Sequence, residues 1–143
     1  MRAEIWATMT AVCWGVGSML EKKGVKLGGL SPVMGTALRT GVSLLVLAVV
    51  SYPYWSELRK ASATSLSLIA VGGGVISGAL GIMALYAALK DGNLSVVMTI
   101  AFCAAPVVGL ILGWVFLHER ISAIQLLGVV LCVSGAALVT LFR

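Results

Sequence analysis

Long apolar runs separated by short charged stretches dominate the sequence. Five such runs cover residues 5–20, 31–55, 66–89, 94–117 and 122–142. A helix of about 20 residues, rising 1.5 Å per residue, crosses the hydrocarbon core of a bilayer. The pattern therefore predicts an all-α integral membrane protein with five transmembrane helices, of which the first is the shortest, in a single domain over residues 1–143.

Local signals mark the ends of the predicted helices. Ser31-Pro32 is a typical N-cap followed by proline at the first helical position, and Ser122 with Gln125 has the spacing of a capping box. Aromatic side chains that suit the membrane interface fall near the run ends, at Trp6, Tyr52, Tyr54 and Trp55. The connections are too short to hold a soluble domain, so we expect the protein to act within the bilayer.

Composition agrees with a membrane protein. Of the 143 residues, 60% are hydrophobic and 10% are charged, against about 25% charged in soluble domains. The 10 Lys and Arg against 5 Asp and Glu give a net charge of +5. In a soluble protein such an excess of positive charge would suggest nucleic-acid binding. Because these charges flank apolar runs, they indicate membrane anchors instead. We expect a multi-pass location in the cell or inner membrane, with no nucleic-acid partner.

Catalytic and metal-binding patterns are missing from the sequence. His118-Glu119 begins like a zinc-protease motif, but Ser122 stands where the second histidine is needed. The cysteines Cys13, Cys103 and Cys132 each lie within an apolar run, which suggests small core residues with neither a disulfide nor a metal framework. The sequence therefore predicts that the protein is not an enzyme and uses no cofactor and no metal.

Glycine and proline positions suggest how the helices pack. Gly74 and Gly78 have the GxxxG spacing that lets helix backbones approach closely, and Gly109 and Gly113 repeat it. Such smooth helices either pack tightly or slide against a cavity during transport. Pro106 predicts a kink in the fourth helix because it removes one backbone donor and crowds the preceding turn. The kink either only bends the helix for packing or contributes to a site at the membrane midplane.

Arg39 is the charged residue that lies inside an apolar run. It follows Ser31 by eight residues, or about 12 Å along a helix. A charge at this depth usually faces a bundle interior or water. Two interpretations stay open: a membrane anchor whose side chain extends to the interface, and a contact for a substrate or anion.

Several of these features together resemble a known family. They are Trp14-Gly15, the Ser31-Pro32 helix start with Arg39 downstream, Ala84-Leu85-Tyr86-Ala87-Ala88-Leu89, Ala105-Pro106-Val107, Glu119, Gly128 and Gly135. In this order and spacing the chain resembles the EamA-like half of the drug/metabolite transporter superfamily. Typical members have ten helices in two halves of inverted orientation and export or exchange amino acids, nucleotides, drugs and other small metabolites. The resemblance implies that this chain supplies one half.

The resemblance also implies where a site would lie. A cavity would be lined by the first four helices, with the fifth packing outside it. The candidate substrate-binding residues are Arg39, Trp14, Ser18, Tyr86 and Thr99. Trp14 would contribute cation–π or stacking contacts, or else core packing.

Every carboxylate falls at the end of a run, so we expect facilitated diffusion or exchange, or weak coupling through Glu21. The related small multidrug resistance proteins use a first-helix glutamate for proton coupling. Because this chain has Trp14 at the comparable place, antiport of that type is not expected.

Three functional hypotheses follow. The first is a transporter of small metabolites or drugs that works as a dimer with its cavity at the interface between repeats. The partner would be a second, antiparallel copy or a separate half-transporter chain. The second is a flippase-like subunit for a phosphorylated lipid carrier, which would use Arg39 and the basic residues Lys22, Lys23 and Lys26. The third is a membrane assembly subunit that transports nothing itself.

Overall fold

Helices account for nearly all of the described structure. The computed structural model describes residues 3–142. Its helices, in chain order, are α1 (Ala3–Gly28), α2 (Pro32–Ser51), a 3-10 turn (Tyr52–Tyr54), α3 (Trp55–Lys60), α4 (Ala63–Leu68), a π-helix (Ile69–Gly81), α5 (Ile82–Asp91), α6 (Leu94–Phe116) and α7 (Ala123–Leu141). The all-helical class predicted from the apolar runs is thus confirmed for this part of the chain.

Within the described residues, four continuous helical stretches are long and apolar enough to cross a membrane. They are Pro32–Lys60, Ala63–Asp91, Leu94–Phe116 and Ala123–Leu141, and they correspond to the second to fifth predicted spans. Helix α1 forms, but it is not among these four. Its apolar run is diluted by threonine, serine and tryptophan and passes directly into a charged stretch. The predicted count of five spans is therefore confirmed only for four.

Helix α1 continues past its apolar run, from Leu20 through the charged stretch to Gly28. Lysine and glutamate are good helix formers, so a change of polarity does not end a helix. The helix stops where Gly29 adopts a left-handed conformation with φ of 60°, and the Leu30 amide donates to the Val25 carbonyl at 3.2 Å. This is the bond of a Schellman end, for which glycine is the preferred residue.

The helix starts agree with the sequence signals. The Ser31 hydroxyl accepts a hydrogen bond from the Met34 amide at 3.2 Å. At α7 the Gln125 amide donates to the Ser122 hydroxyl at 3.2 Å and the Gln125 side chain accepts from the Ser122 amide at 2.8 Å. The predicted capping box is thus confirmed, and each cap fixes where a span begins.

The chain divides into two compact units, residues 1–91 and 92–143. In the first unit α1, α2 and α5 pack against one another. Their small core consists of Val25, Ile82 and Tyr86, with Trp14 packed against it. This three-helix junction positions every charged group of the candidate site.

The second unit is a hairpin of α6 and α7. Cys103 and Cys132 form a disulfide across it, with Cα atoms 5.4 Å apart, whereas Cys13 is a free, exposed thiol. The prediction of three unpaired core cysteines was therefore wrong for two of them. The two residues are 29 positions apart, and only the packing of the hairpin brings them together.

A long π-helix interrupts the third span. It covers the 13 residues Ile69–Gly81 and includes Gly72-Gly73-Gly74 and Gly78. A Cβ placed on Gly78 would lie 2.6 Å from the carbonyl oxygen of Gly73. Glycine at 78 thus allows this register, because any side chain there would meet the carbonyl oxygen five residues earlier. Neither the π-helix nor this close approach was predicted, although the glycines themselves were noted.

Candidate functional site

An ion pair joins the end of α1 to the start of α2. The Arg39 Nε lies 2.8 Å from the Glu21 Oε1, and the two side chains are 32% and 19% exposed. The pair forms because the turn at residues 28–31 reverses the direction of the chain between α1 and α2. Glu21 lies about two turns before the end of α1 and Arg39 about two turns after the start of α2. The cost of a deep arginine is thus reduced by an acidic partner.

Trp14 presents its ring to the Arg39 guanidinium. The guanidinium carbon lies 5.7 Å from the centroid of the Trp14 ring, within the range of cation–π attraction. Trp14 precedes Glu21 by seven residues on α1, so both project from one face of that helix. The guanidinium is therefore positioned by an anion and an aromatic face from the same helix.

Tyr86 completes the group from α5. Its ring is buried against Val25 and Ile82, and its side chain lines the same cavity as Glu21 and Arg39. The ring lies over Gly35 of α2 so closely that a Cβ there would be 2.6 Å from the Tyr86 Cδ1 and Cε1 atoms. Because position 35 carries no side chain, the tyrosine ring can pack against α2 beside the cavity that contains the ion pair.

These residues border a cavity of about 430 Å³. Small-molecule sites usually measure about 300–1,000 Å³ and combine apolar walls with a few polar groups. This cavity follows that pattern. Its polar groups are Glu21, Arg39, Tyr86 and Ser43, and the other lining residues are Gly24, Val25, Leu30, Gly35, Leu38 and Val42.

The structure brings together some of the predicted site residues and not others. Arg39, Trp14, Tyr86 and Glu21 form one group, as described. Ser18 is buried on α1, one turn after Trp14, and is not among the residues that line the cavity.

Two predicted residues belong to the second unit. Thr99 lies on α6, where its hydroxyl donates to the Ser95 carbonyl at 2.7 Å. Pro106 lies within α6, which continues as a helix on both sides of it. The kink that Pro106 predicts stays a prediction.

Sequence reasoning missed the small and apolar residues of the cavity. Gly35, Arg39 and Ser43 follow one another at intervals of four along α2, so they share one face of that helix. Reading Arg39 together with its i−4 and i+4 neighbours would have identified this face. Leu30 gave no such signal, because its place depends on the turn at Gly29.

A second, larger cavity lies in the α6–α7 hairpin. It measures about 590 Å³, and Thr140 is the polar exception among otherwise apolar or cysteine lining residues. With no charged group among its lining residues, this cavity has little to orient a polar ligand. The cavity around Arg39 is therefore the stronger candidate site.

Comparison with known proteins identifies a family. The model of the EamA-like transporter family matches residues 1–141. No curated protein and no solved structure matches the chain.

Proposed function

Because the chain belongs to the EamA-like transporter family, we propose that it moves small metabolites or drugs through the cavity between α1, α2 and α5. Family membership and four apolar helices of spanning length make the chain an integral, multi-pass membrane protein. It is a membrane transporter of the drug/metabolite type. The proposal adds the place where substrate binds and the way in which the chain works.

The Glu21–Arg39 pair is the observation that supports this site most strongly. Two charges partly withdrawn from water usually cost more than they return in stability, compared with apolar residues of similar size. Here both charges border a cavity with apolar walls, and the Trp14 ring lies against the Arg39 guanidinium. A polar group placed at such cost inside a membrane protein indicates a functional site.

We further propose that two copies of the chain work together in opposite orientations. In the superfamily that the sequence resembles, two inverted halves form the transporter. Positive charge is nearly balanced between the two sets of connections, with four basic residues on one side and six on the other if all five predicted helices cross, which allows one sequence to insert in both directions. A separate half-transporter chain of opposite charge bias is the alternative partner.

Flux measurements on the purified chain test the proposed function. The chain is reconstituted in liposomes, and exchange of a panel of labelled amino acids, nucleosides and cationic drugs is followed. We expect Arg39→Ala to reduce flux at least tenfold at unchanged folded yield, and Arg39→Lys to restore it partly, because lysine lacks the planar fork of arginine. Glu57→Gln, which removes an exposed charge on α3 without changing the count of basic residues, is the control.

Other outcomes favour the other two hypotheses. Scrambling of phosphorylated lipids without solute flux would favour the flippase-like subunit. Loss of all activity until a second membrane protein is added would favour the assembly subunit. Equal flux in Arg39→Ala and in the parent chain would show that Arg39 is an anchor and that the proposed site is wrong.

A further inference from the structure

The disulfide of the α6–α7 hairpin lies deep within its two spans. Cys103 follows the start of α6 at Leu94 by nine residues, and Cys132 lies nine residues from either end of α7. At 1.5 Å per residue both positions are about 13 Å from those helix ends. Because the hydrocarbon core of a bilayer is about 30 Å thick, the disulfide lies near the membrane midplane.

The cavity of about 590 Å³ in the same hairpin lies beside this disulfide. Cys103 is one of its lining residues, together with apolar side chains of both helices and Thr140. Two of the apolar lining residues, Val108 and Leu141, are exposed on the surface of the spans. A ligand dissolved in the bilayer can therefore reach the cavity and, within it, the sulfur of Cys103.

The depth of the cysteine pair limits which reagents can oxidise or reduce it. Glutathione and thioredoxin, which set the state of water-exposed cysteines, carry charges or belong to soluble proteins, and charged groups enter the hydrocarbon core only at high cost. The redox partner of this pair must dissolve in lipid and exchange two electrons and two protons. Membrane quinones meet both requirements.

We propose that the cavity between α6 and α7 binds a lipid-soluble quinone, which oxidises the Cys103 and Cys132 thiols to the disulfide. Two S–H bonds break and one S–S bond forms. The two electrons and both protons pass to the quinone, whose two carbonyl oxygens become the hydroxyls of the quinol. The quinone is a diffusible substrate that leaves as quinol. Because the cavity and the disulfide both belong to the second unit, this reaction uses none of the residues around Arg39.

The lining of the cavity suits both forms of this substrate. No charged side chain is among the described residues that line it, and quinone and quinol are both uncharged, so neither form brings an unpaired charge into an apolar site. The Thr140 hydroxyl donates to the Ala136 carbonyl at 2.7 Å. Its oxygen keeps lone pairs that can accept a hydrogen bond from a quinol hydroxyl.

Oxidation of the reduced chain in liposomes tests the proposal. The chain carries Cys13→Ser, which removes the free thiol, and is reduced in detergent before reconstitution without oxygen. Decylubiquinone in the bilayer should form one quinol, measured by ultraviolet absorbance, for each disulfide, measured by intact mass after maleimide labelling. We expect this oxidation to be at least tenfold faster than oxidation by glutathione disulfide in the water phase. Equal rates with the two oxidants, or no quinol, would overturn the proposal.

A pair of neighbouring alanines separates binding in the cavity from simple contact in the bilayer. Ala104 lines the cavity, whereas Ala105 is not among its lining residues, and both are exposed on α6. Ala104→Phe should slow oxidation by decylubiquinone at least tenfold, and Ala105→Phe should leave it unchanged. Diamide, a small oxidant that needs no binding site, should form the disulfide in both variants, which shows that the two cysteines still meet. Ala104→Phe that reacts as fast as the parent chain would overturn the proposal.

The dependence of the rate on quinone concentration decides the question even if Ala104→Phe fails to fold. A binding site predicts that the rate of disulfide formation in the parent chain saturates as the fraction of decylubiquinone in the bilayer rises. A rate that rises in proportion to quinone throughout would show that the thiols react by collision, without a site, and would overturn the proposal.

Discussion

At Gly35 the packing of α2 against α5 leaves no room for a side chain. An added Cβ would lie 2.6 Å from two ring carbons of Tyr86 and 3.3 Å from the Val25 Cγ2. Gly35→Ala should therefore destabilise the first unit by about 1–3 kcal/mol, the usual cost of overpacking. It should also displace Tyr86 from the wall of the cavity around Arg39. Thermal unfolding of the purified chain in detergent measures the first effect, and solute flux in liposomes measures the second.

Gly41 provides the matched control on the same helix. A Cβ there meets nothing within 4 Å, and alanine favours a helix over glycine by up to about 1 kcal/mol. Gly41→Ala should thus unfold at the same temperature as the parent chain or higher. Equal behaviour of the two variants would contradict the close packing at Gly35.

Single residues also show where sequence reasoning reached its limit. The depth of Arg39 follows from its place in an apolar run, and its importance could be predicted. Its partner could not, because Glu21 lies 18 positions earlier and meets it only through the turn at Gly29. The sequence left Arg39 as either anchor or ligand contact, whereas the structure adds a third role, as half of an ion pair.

At the scale of elements, the π-helix makes the next prediction. A Cβ on Gly78 would meet the backbone carbonyl of Gly73 at 2.6 Å, and a backbone group cannot move aside as a flexible side chain can. Gly78→Ala should therefore force this segment out of its register, with a stability loss of about 1–3 kcal/mol. Gly72→Ala has open space around its Cβ and should be tolerated.

Thermal unfolding and flux of the two variants check this prediction. Because π-helical turns are often found at functional sites, Gly78→Ala should lower flux more than Gly72→Ala does. If Gly78→Ala matches Gly72→Ala in both measurements, the π register is not required.

The α6–α7 hairpin predicts the redox state of the three cysteines. Cys103 and Cys132 are paired, and Cys13 is free and exposed. Intact-mass measurement after maleimide labelling without reductant should find one label per chain, and three after reduction and unfolding. Cys13→Ser should abolish the label found without reductant. Three labels without reductant would show that the hairpin carries thiols.

Elements differ in how far the sequence predicts them. The four apolar spans and the Ser31 and Ser122 caps were predictable because hydropathy and capping are local signals. The end of α1 was misplaced because apolar character was read as helix length, while the helix continues to Gly28 through charged residues. The π-helix and the disulfide depend on hydrogen-bond register and on helix packing, which no local pattern records.

At the scale of the whole molecule, the positions of the carboxylates predict how far solute transport is coupled to proton movement. Of the five carboxylates in the sequence, Glu21 is the one that lines the cavity around Arg39. We predict exchange or facilitated diffusion, with at most weak proton coupling through Glu21. In liposomes, an imposed pH gradient should not concentrate solute strongly, whereas solute on both sides should accelerate exchange. Strong uphill uptake that survives Glu21→Gln would contradict this prediction.

The distribution of basic residues predicts how the chain sits in the membrane. If α1 crosses along with the four apolar spans, the N-terminal face holds four basic residues, Arg2, Arg59, Lys60 and Arg120. The opposite face holds Lys22, Lys23, Lys26, Lys90 and Arg143, and Arg39 raises its count from five to six. Arg2 and Arg143 enter this count from the sequence alone, because they lie outside the described residues. A bias of four against six is too small to fix an orientation.

We therefore expect both orientations in the native membrane, and from them an antiparallel homodimer. With the native free thiol removed by Cys13→Ser, a topology reporter fused at Arg143 and a label on Lys23→Cys, at an exposed position near the end of α1, should each be found on both sides of the membrane. Adding two lysines beside Arg59 should bias the chain to one orientation and lower flux, because opposed pairs become rare. Reporters found on one side only in the parent chain would rule out dual topology and favour a separate partner half. A Lys23 label on the same side as the N-terminus would show that α1 does not cross, and the charge count would then have to be made for four spans.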